Sequence, residues 1–600
     1  MRVSPSRTSS AGPGGSTAGP GPDARRLAPA PGRRWLAAVL LLSLGLDTVG
    51  LGWGIAGEGE GWAADGLTPV AALATVKRAW VDEPRGSGWF PAKYPLGHFA
   101  VVAAVQAPYV AAVWLTGDLG APSSDYPYGF RRPHVALRAL ALLARCVSVL
   151  MGVALVGLAF AIGTALFGAA AGLAGAVLVA GSYPLVFYAH TANVDVPMLF
   201  WAVLAVAAAL RSADHDSTPA ALLAGLAAGM ALYTKEQSLG ILGAIPVIWL
   251  IRRAAARGVS GWAAVGRHAA LAGTGFAAVT VVVGNLWRNP AGFVNRWRFL
   301  LGVLPGEIRA RYVSYQFYVS PPAPRPLGDE TAHLAHVAGL TAEALTLPVL
   351  LACLAGLGYA LVRRPGAAAV PGVVLLGYYV VSLRALPEPP VRHVVPLLYF
   401  LLVLGGAAGG VLIEAARRSR PVMRRRLAGA AVAVGCVFAL LPGIEVDRLL
   451  LDDPRHAAEA WLREHAPPGS RVEVYQPATY LPRFPSRLRV VTVPLEDRTR
   501  AAFEQRRPDL VVVSSAAPLG LTGARVRDWR PGSPIMGRSE EARVFFEALR
   551  SDALGYREVV RFTTVPRWIT PRITSLNPEI AVFGAAGPSP GRPASGPIRP

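Results

Sequence analysis

Charge is scarce in this chain: 16% of its 600 residues are Asp, Glu, Lys or Arg, where soluble domains carry roughly a quarter. With 53% hydrophobic residues and a positive mean hydropathy, that shortage excludes an ordinary soluble protein and leaves a polytopic membrane protein. Acids are scarcer still, 37 against 59 Lys and Arg, so an acid beside an apolar run needs a reason. The net charge of +22 does not point to nucleic acid, because the basic residues gather in short runs between apolar segments, at Arg252 and Arg253, Arg363 and Arg364, and Arg417 through Arg426. Such runs read as cytoplasmic loops facing anionic lipid. The three cysteines, Cys146, Cys353 and Cys436, lie inside apolar runs without paired spacing, which excludes a disulfide framework and a zinc site. No internal repeat recurs at a fixed period.

Residues 1–34 have few large apolar side chains and many Gly, Pro and Ser, too little to offset the entropy of ordering, and read as a disordered cytosolic tail. The apolar run that follows continues through Leu51 and Ile55 without a small-residue cleavage site, so it reads as a retained first span rather than a signal peptide. A span needs about 20 apolar residues. The segments that approach this are 35–56, 137–161, 168–189, 196–211, 219–234, 237–251, 269–288, 337–362, 366–383, 394–413 and 427–446. A further run, 95–117, is read as lying along or dipping into the membrane, because a crossing there would put every basic loop outside, against the positive-inside rule. Arg131 and Arg132 stay on the outer face in this topology, as an exception. A single long helix over 219–251 would restore the crossing at 95–117 and move Asp195 inside.

The fold class expected is thus an α-helical polytopic membrane protein of about 11–13 transmembrane helices, with a membrane domain over 35–446, a first outer loop over 57–94 and an extracytoplasmic α/β domain over 447–587. The last rests on short β-branched runs at 471–475, 488–493, 510–513 and 579–583 and on helical patterns at 454–465 and 540–550. Residues 588–600 read as a loose tail.

Two acids stand at corresponding places, each shortly after an apolar span and before a proline: Asp65 ahead of Pro69, and Asp195 ahead of Pro197. Each could cap a helix start; the matching placement on one face favours a shared site. Pro69 to Trp80 forms an amphipathic stretch suited to the interface. Lys93 closes the first outer loop, where a cation at headgroup depth could meet a lipid phosphate or simply snorkel. Lys235 could pair locally with Glu236 or serve the site. Arg384 and Arg392 lie on the outer side, where an arginine calls for an anionic partner and a phosphate suits its planar fork, Arg392 the more so.

These residues resemble the GT-C superfamily of integral-membrane glycosyltransferases, close to the dolichyl-phosphate-mannose protein mannosyltransferase and aminoarabinose transferase branch. The likeness runs over about 35–446 and rests on Trp62-Ala63-Ala64-Asp65, Lys93-Tyr94-Pro95-Leu96-Gly97-His98, the segment from Tyr188 to Pro197, Leu232-Tyr233-Thr234-Lys235, and Arg392-His393-Val394-Val395-Pro396. The family commonly has Asp-Glu in its first loop, whereas Gly66 follows Asp65 here.

The resemblance implies transfer of a sugar from a polyprenyl-phosphate donor to an extracytoplasmic acceptor (protein, lipid or glycan), by a multi-pass protein of the cell membrane. Asp65 would be the base, Asp195 a second site acid, and Lys93, Arg392 and Lys235 the cations for the lipid phosphate. The displacement at the anomeric carbon is single, hence inverting, through an oxocarbenium-like state. No cofactor is assigned; Asp65 and Asp195 leave a divalent cation open, although two acids are a weak signature for one. A transporter or flippase for lipid-linked sugars is the rival reading, and it would favour repeats and midplane charges. A third reading makes the spans an anchor for the outer domain.

Overall fold

The computed structural model describes residues 31–55, 61–63, 65–254, 259–309, 327–386, 389–419, 421–494, 497–515 and 539–585. Most of the tail expected at 1–34, all of that at 588–600, and Glu388 of the 384–393 loop lie outside the described residues.

The helices are α1 (Pro31–Thr48), α2 (Ala71–Lys77), α3 (Leu96–Leu115), α4 (Pro133–Phe167), α5 (Ala169–Ala180), α6 (Tyr183–Ala189), α7 (Asp195–His215), α8 (Thr218–Thr234), α9 (Leu239–Leu242) and α10 (Ala244–Ala254). They continue with α11 (Val259–Val282), α12 (Pro290–Leu300), α13 (Gly306–Arg309), α14 (Leu327–Leu345), α15 (Leu347–Arg363), α16 (Pro365–Tyr378), α17 (Val391–Arg418) and α18 (Val422–Leu451). Among the described residues seven helices are long and apolar enough to cross a bilayer, or up to nine if each bent pair is one span. The shorter α1, α8 and α10 pack into the same bundle, so each of the eleven expected segments is met by a helix or a broken pair. Leu347, Leu351, Leu354 and Leu361 stand exposed along one side of α15. Such a stripe would be an unusually large apolar patch in water and is at home in lipid.

One expected span is redrawn. The run 337–362 is not one helix: α14 and α15 meet at an angle of 113°. Thr346 sits at φ 59° in the left-handed region and Pro348 opens α15; proline has no N–H to continue the ladder and its ring clashes with the preceding turn.

Helix α3 satisfies the length and apolarity of a span, yet both of its ends stay at one end of the bundle. Gly97 lies against the Tyr233 carbonyl at the end of α8, where an added Cβ would come within 2.5 Å of that oxygen. Midway, Gln106 Nε2 donates to Pro69 O at 3.0 Å and to Leu140 O at 2.9 Å. Farther on, Tyr109, Val110 and Val113 pack with Val70, Leu73 and the first turns of α4. A crossing helix would carry its second end to the opposite face; α3 instead runs beside α2. Helix α4 begins at the same end and, at 35 residues, is about 52 Å long, well beyond a hydrocarbon core of about 30 Å. Its far end, Phe167, packs with Ala360 and Leu375.

The segment 219–251 breaks after Thr234, and the two parts run in opposite directions. Helix α8 returns to the start of α7, whereas α10 ends where Arg252 pairs with Asp214 at the close of α7. One bundle end therefore gathers residues 65, 93, 195, 235 and 392, and the other holds Arg252, Arg363, Arg364 and Arg417.

The remaining chain forms α19 (Pro454–His465), β1 (Arg471–Val474), β2 (Arg489–Thr492), α20 (Arg500–Arg506), β3 (Leu510–Ser514), α21 (Ser539–Arg550), β4 (Tyr556–Phe562) and β5 (Ile580–Ala585). The sheet order is β2-β1-β3-β5-β4, parallel between β1 and its two neighbours and antiparallel elsewhere. Alternation splits its two faces. Val511, Val513 and Phe583 pack with Phe503 and Phe545 on one side, while Val512, Ile580 and Val582 meet Ala458 and Leu462 of α19 on the other.

Candidate functional site

Asp65 is fixed from both sides. After Trp62, whose N–H donates to Gly54 O at 3.0 Å, the chain turns so that Gly66 N donates to Ala63 O at 3.1 Å. Leu67 N then donates to Ala192 O at 2.9 Å, tying the first loop to the segment that carries Asp195. Asp65 takes φ 60°, a conformation that aspartate tolerates better than most side chains. The helix nearest downstream, α2, has Val70 before it and no side-chain cap, so capping does not explain Asp65.

The Asp65 carboxylate lies between two cations. Lys93 Nζ is 3.1 Å from Oδ1, and Arg392 Nη1 donates to Oδ2. Lys93 stands over the Tyr94 ring, and its loop is held from α12: Arg296 Nη1 donates to Pro91 O at 2.7 Å and Ala92 O at 2.5 Å, while its Nε bonds Glu236. Glu236 is thus the partner of Arg296, not of Lys235. Arg392 stands in the first turn of α17, which starts after Pro390, and the neighbouring His393 carbonyl accepts from Tyr378 Oη at 2.9 Å.

Asp195 meets Lys235 because α7 and α8 form an antiparallel hairpin whose open end brings the first residue of α7 against the residue that follows α8. Lys235 Nζ lies 2.6 Å from Asp195 Oδ1, with both side chains under 10% exposed. Asn193 Nδ2 donates to Asp195 Oδ2 at 3.0 Å, and the Asp195 amide donates back to Asn193 Oδ1 at 2.9 Å. Asp195 makes no capping bond to its helix. Arg392 and Lys235 each interact electrostatically with both carboxylates, so the five residues singled out from the sequence form one charged network. Arg384 does not join it and pairs instead with Glu330 at 3.0 Å.

Burial would raise the Asp65 carboxyl, but the Arg392 guanidinium, then Lys93 and more weakly Lys235, hold it below the usual carboxylate value. Each acid is neutralised by an ammonium or guanidinium. Among the described residues no group of three or more His, Cys, Asp or Glu is placed to hold a metal ion, and this donor set fits an anion better than a divalent cation. Sequence reasoning missed Arg296, which with Glu236 fixes the Lys93 loop, and Arg145, whose Nη1 donates to Leu51 O and Trp53 O at 2.6 Å each. For Arg145 a signal existed: a lone arginine inside a long apolar run is costly without partners. A polar cavity of about 240 Å³ opens beside Asp65 and Lys93, with Arg145 on one wall and Thr479 and Tyr480 of the C-terminal domain on another.

The bundle defines a polytopic membrane protein with two acids and three cations gathered at one end. Residues 139–287 match the family model of dolichyl-phosphate-mannose-protein mannosyltransferase, a stretch that carries Asp195 and Lys235. Over those residues the chain is similar to that mannosyltransferase family. Similar solved structures include ArnT from Cupriavidus metallidurans in the apo state, at 15% identity and TM-score 0.46 over 93% of this chain and 100% of that one. Another is the archaeal oligosaccharyltransferase AglB from Archaeoglobus fulgidus, in complex with an inhibitory peptide and a dolichol-phosphate, at 11% identity and TM-score 0.45 over 80% and 69%. The arabinofuranosyltransferase AftD from Mycobacteria is similar at 15% identity and TM-score 0.39 over 93% and 42%. A search among curated proteins finds no match.

Proposed function

We propose that this protein transfers a glycosyl group from a polyprenyl-phosphate-linked sugar to an acceptor on the extracytoplasmic face of the cell membrane, with inversion. The observation that carries the reading is the Asp65 carboxylate set between Lys93 and Arg392, with the Lys235–Asp195 pair adjoining. Orientation follows from the basic loops: Arg252, Arg363, Arg364 and Arg417 share the end opposite the site, which the positive-inside rule assigns to the cytoplasm. The site and the C-terminal domain are then outside.

In this reading the donor phosphate competes with Asp65 for Lys93 and Arg392. The acceptor oxygen attacks the anomeric carbon, the bond to the phosphate oxygen breaks, and the electron pair leaves with the phosphate. The two cations offset the charge that grows there, the kind of preorganised electrostatics that often dominates catalysis. As the phosphate draws on the same cations, the Asp65 carboxylate is released from part of its pairing and its proton affinity rises, which suits it to accept the acceptor proton late in the step. Asp195 and Asn193 hold Lys235 in reach of the same charge. An apolar crevice lined by Leu96, Leu232, Phe293 and Trp297 lies alongside and suits the first prenyl units.

The test is reconstitution in liposomes with radiolabelled polyprenyl-phosphate sugars, comparing wild type with Asp65→Asn and Asp195→Asn. Loss of label from the lipid in wild type and a drop of about 10²- to 10⁴-fold in the Asp65 variant are expected. Label that changes leaflet with its sugar–phosphate bond intact would make the protein a transporter.

A further inference from the structure

The first loop is gripped by the C-terminal domain three residues before Asp65. Asp453, at the N-cap of α19, accepts from Arg455 Nε at 2.9 Å and Nη2 at 2.7 Å. The same guanidinium donates to Thr479 O at 2.7 Å and Ser575 O at 2.8 Å. All three of its side-chain nitrogens donate and it is fully buried, which leaves its flat faces to meet other groups. They meet tryptophan: Arg455 Cζ lies 4.2 Å from the Trp62 ring centroid and 5.2 Å from that of Trp53. Trp53 Nε1 donates to Asp453 Oδ2 at 3.0 Å. Arg483 and His456 close on Trp62 at 5.1 and 4.8 Å. A desolvated cation–π contact is stronger than one exposed to water.

The grip is transmitted along the chain. Arg145 holds the Leu51 and Trp53 carbonyls from the bundle side. Gly54, at φ +56°, lets Trp62 close in; a Cβ there would lie 2.4 Å from the Trp62 Cβ. Beyond Trp62 comes the turn that leaves Asp65 left-handed, and then the bond from Leu67 N to Ala192 O. A non-glycine residue in that conformation is strained, and such residues persist where their surroundings over-determine them. Here Ala192 fixes one side and the Trp62 clamp the other.

We propose that Arg455, stacked on Trp62 and Trp53, is a positioning residue through which the C-terminal domain sets Asp65 in register with Lys93 and Arg392. The proposal rests on Asp65 being the site acid. It gives the appended domain a part in catalysis without bringing any of its residues to the reacting atoms.

The experiment uses the full chain in lipid nanodiscs, with Trp62→Leu, Arg455→Gln, Gly54→Ala, which leaves every clamp group in place, and Trp62→Phe as the conservative rescue. Two readouts are taken. Amide hydrogen exchange over residues 61–70 should lose protection in the first three variants and recover in Trp62→Phe, with peptides of the bundle unchanged. In parallel, kcat for sugar release from a polyprenyl-phosphate sugar should fall roughly 10²-fold, the scale of an ångström's misplacement, at an unchanged KM. Unaltered protection in Trp62→Leu and Gly54→Ala overturns the proposal, as does lost protection with unaltered kcat, which would leave the clamp a mere docking contact. Absence of sugar release by wild type would instead refute the transferase reading, and exchange would still decide whether the clamp orders the Asp65 turn.

Discussion

At Asp65, burial and ion pairing act in opposite directions, and the outcome sets a pH window. Arg392 and Lys93 overcome the effect of burial and leave the carboxyl below its ordinary value of 3.8. A depressed carboxylate contributes stability that is fully present above the unfolded value and is lost as pH falls through the lower folded one. Neither stability nor kcat/KM for the donor, which reports the unliganded protein, should therefore show an acid limb from Asp65 between about pH 5 and 8. Arg392→Gln leaves burial less opposed, so the acid limb of its residual sugar-release rate should move up relative to wild type. The Asp195–Lys235 pair makes a different prediction at this scale. Both groups are buried at 2.6 Å, so removing one leaves an unpaired buried charge, at a cost of about 3–5 kcal/mol. Asp195→Asn and Lys235→Met should each lower thermal stability in detergent, and the double variant should lose less than the sum of the two.

Among the elements, α3 carries a steric constraint close to the site. Its Gly97 faces a backbone oxygen, with 2.5 Å to an added Cβ, so the neighbour cannot yield as a side chain would. Gly97→Val should destabilise by about 1–3 kcal/mol, read as a shift of the unfolding midpoint. Because Lys93 stands just before α3, the same variant should reduce turnover while the α7–α8 hairpin stays intact. Element boundaries were legible where apolar runs ended at prolines or charges, as at Pro454–His465. They were not legible where a bend interrupts an apolar run: nothing in hydropathy distinguishes α14 and α15 from one span, and only Thr346 and Pro348 mark the corner. Strand β4 and helix α20 also escaped the reading, since an edge strand such as Tyr556–Phe562, with mostly exposed side chains, shows little burial pattern in its sequence.

For the whole molecule, orientation is the testable quantity. In a chain with its three cysteines replaced, Arg85→Cys should react with an impermeant maleimide on intact cells, and Arg417→Cys only after permeabilisation; the reverse result would turn the site toward the cytoplasm. The membrane class and the apolar segments were open to sequence reading, because the cost of charge in lipid acts on local composition, and the same reading singled out the five charged residues that gather at one bundle end. The pairing of those five was not. Whether Lys235 would meet Glu236 or Asp195, and whether Arg384 or Arg392 would reach Asp65, depended on how hairpins return and which helix ends meet. The same holds for Arg296 on the Lys93 loop and for the bond between Trp53 and Asp453, 400 residues apart. Composition fixes which residues must avoid lipid; only the packed bundle, with its closed loops and opposed helix ends, decides which of them become partners, because ion pairs and cation–π contacts form over a few ångströms that no sequence spacing encodes.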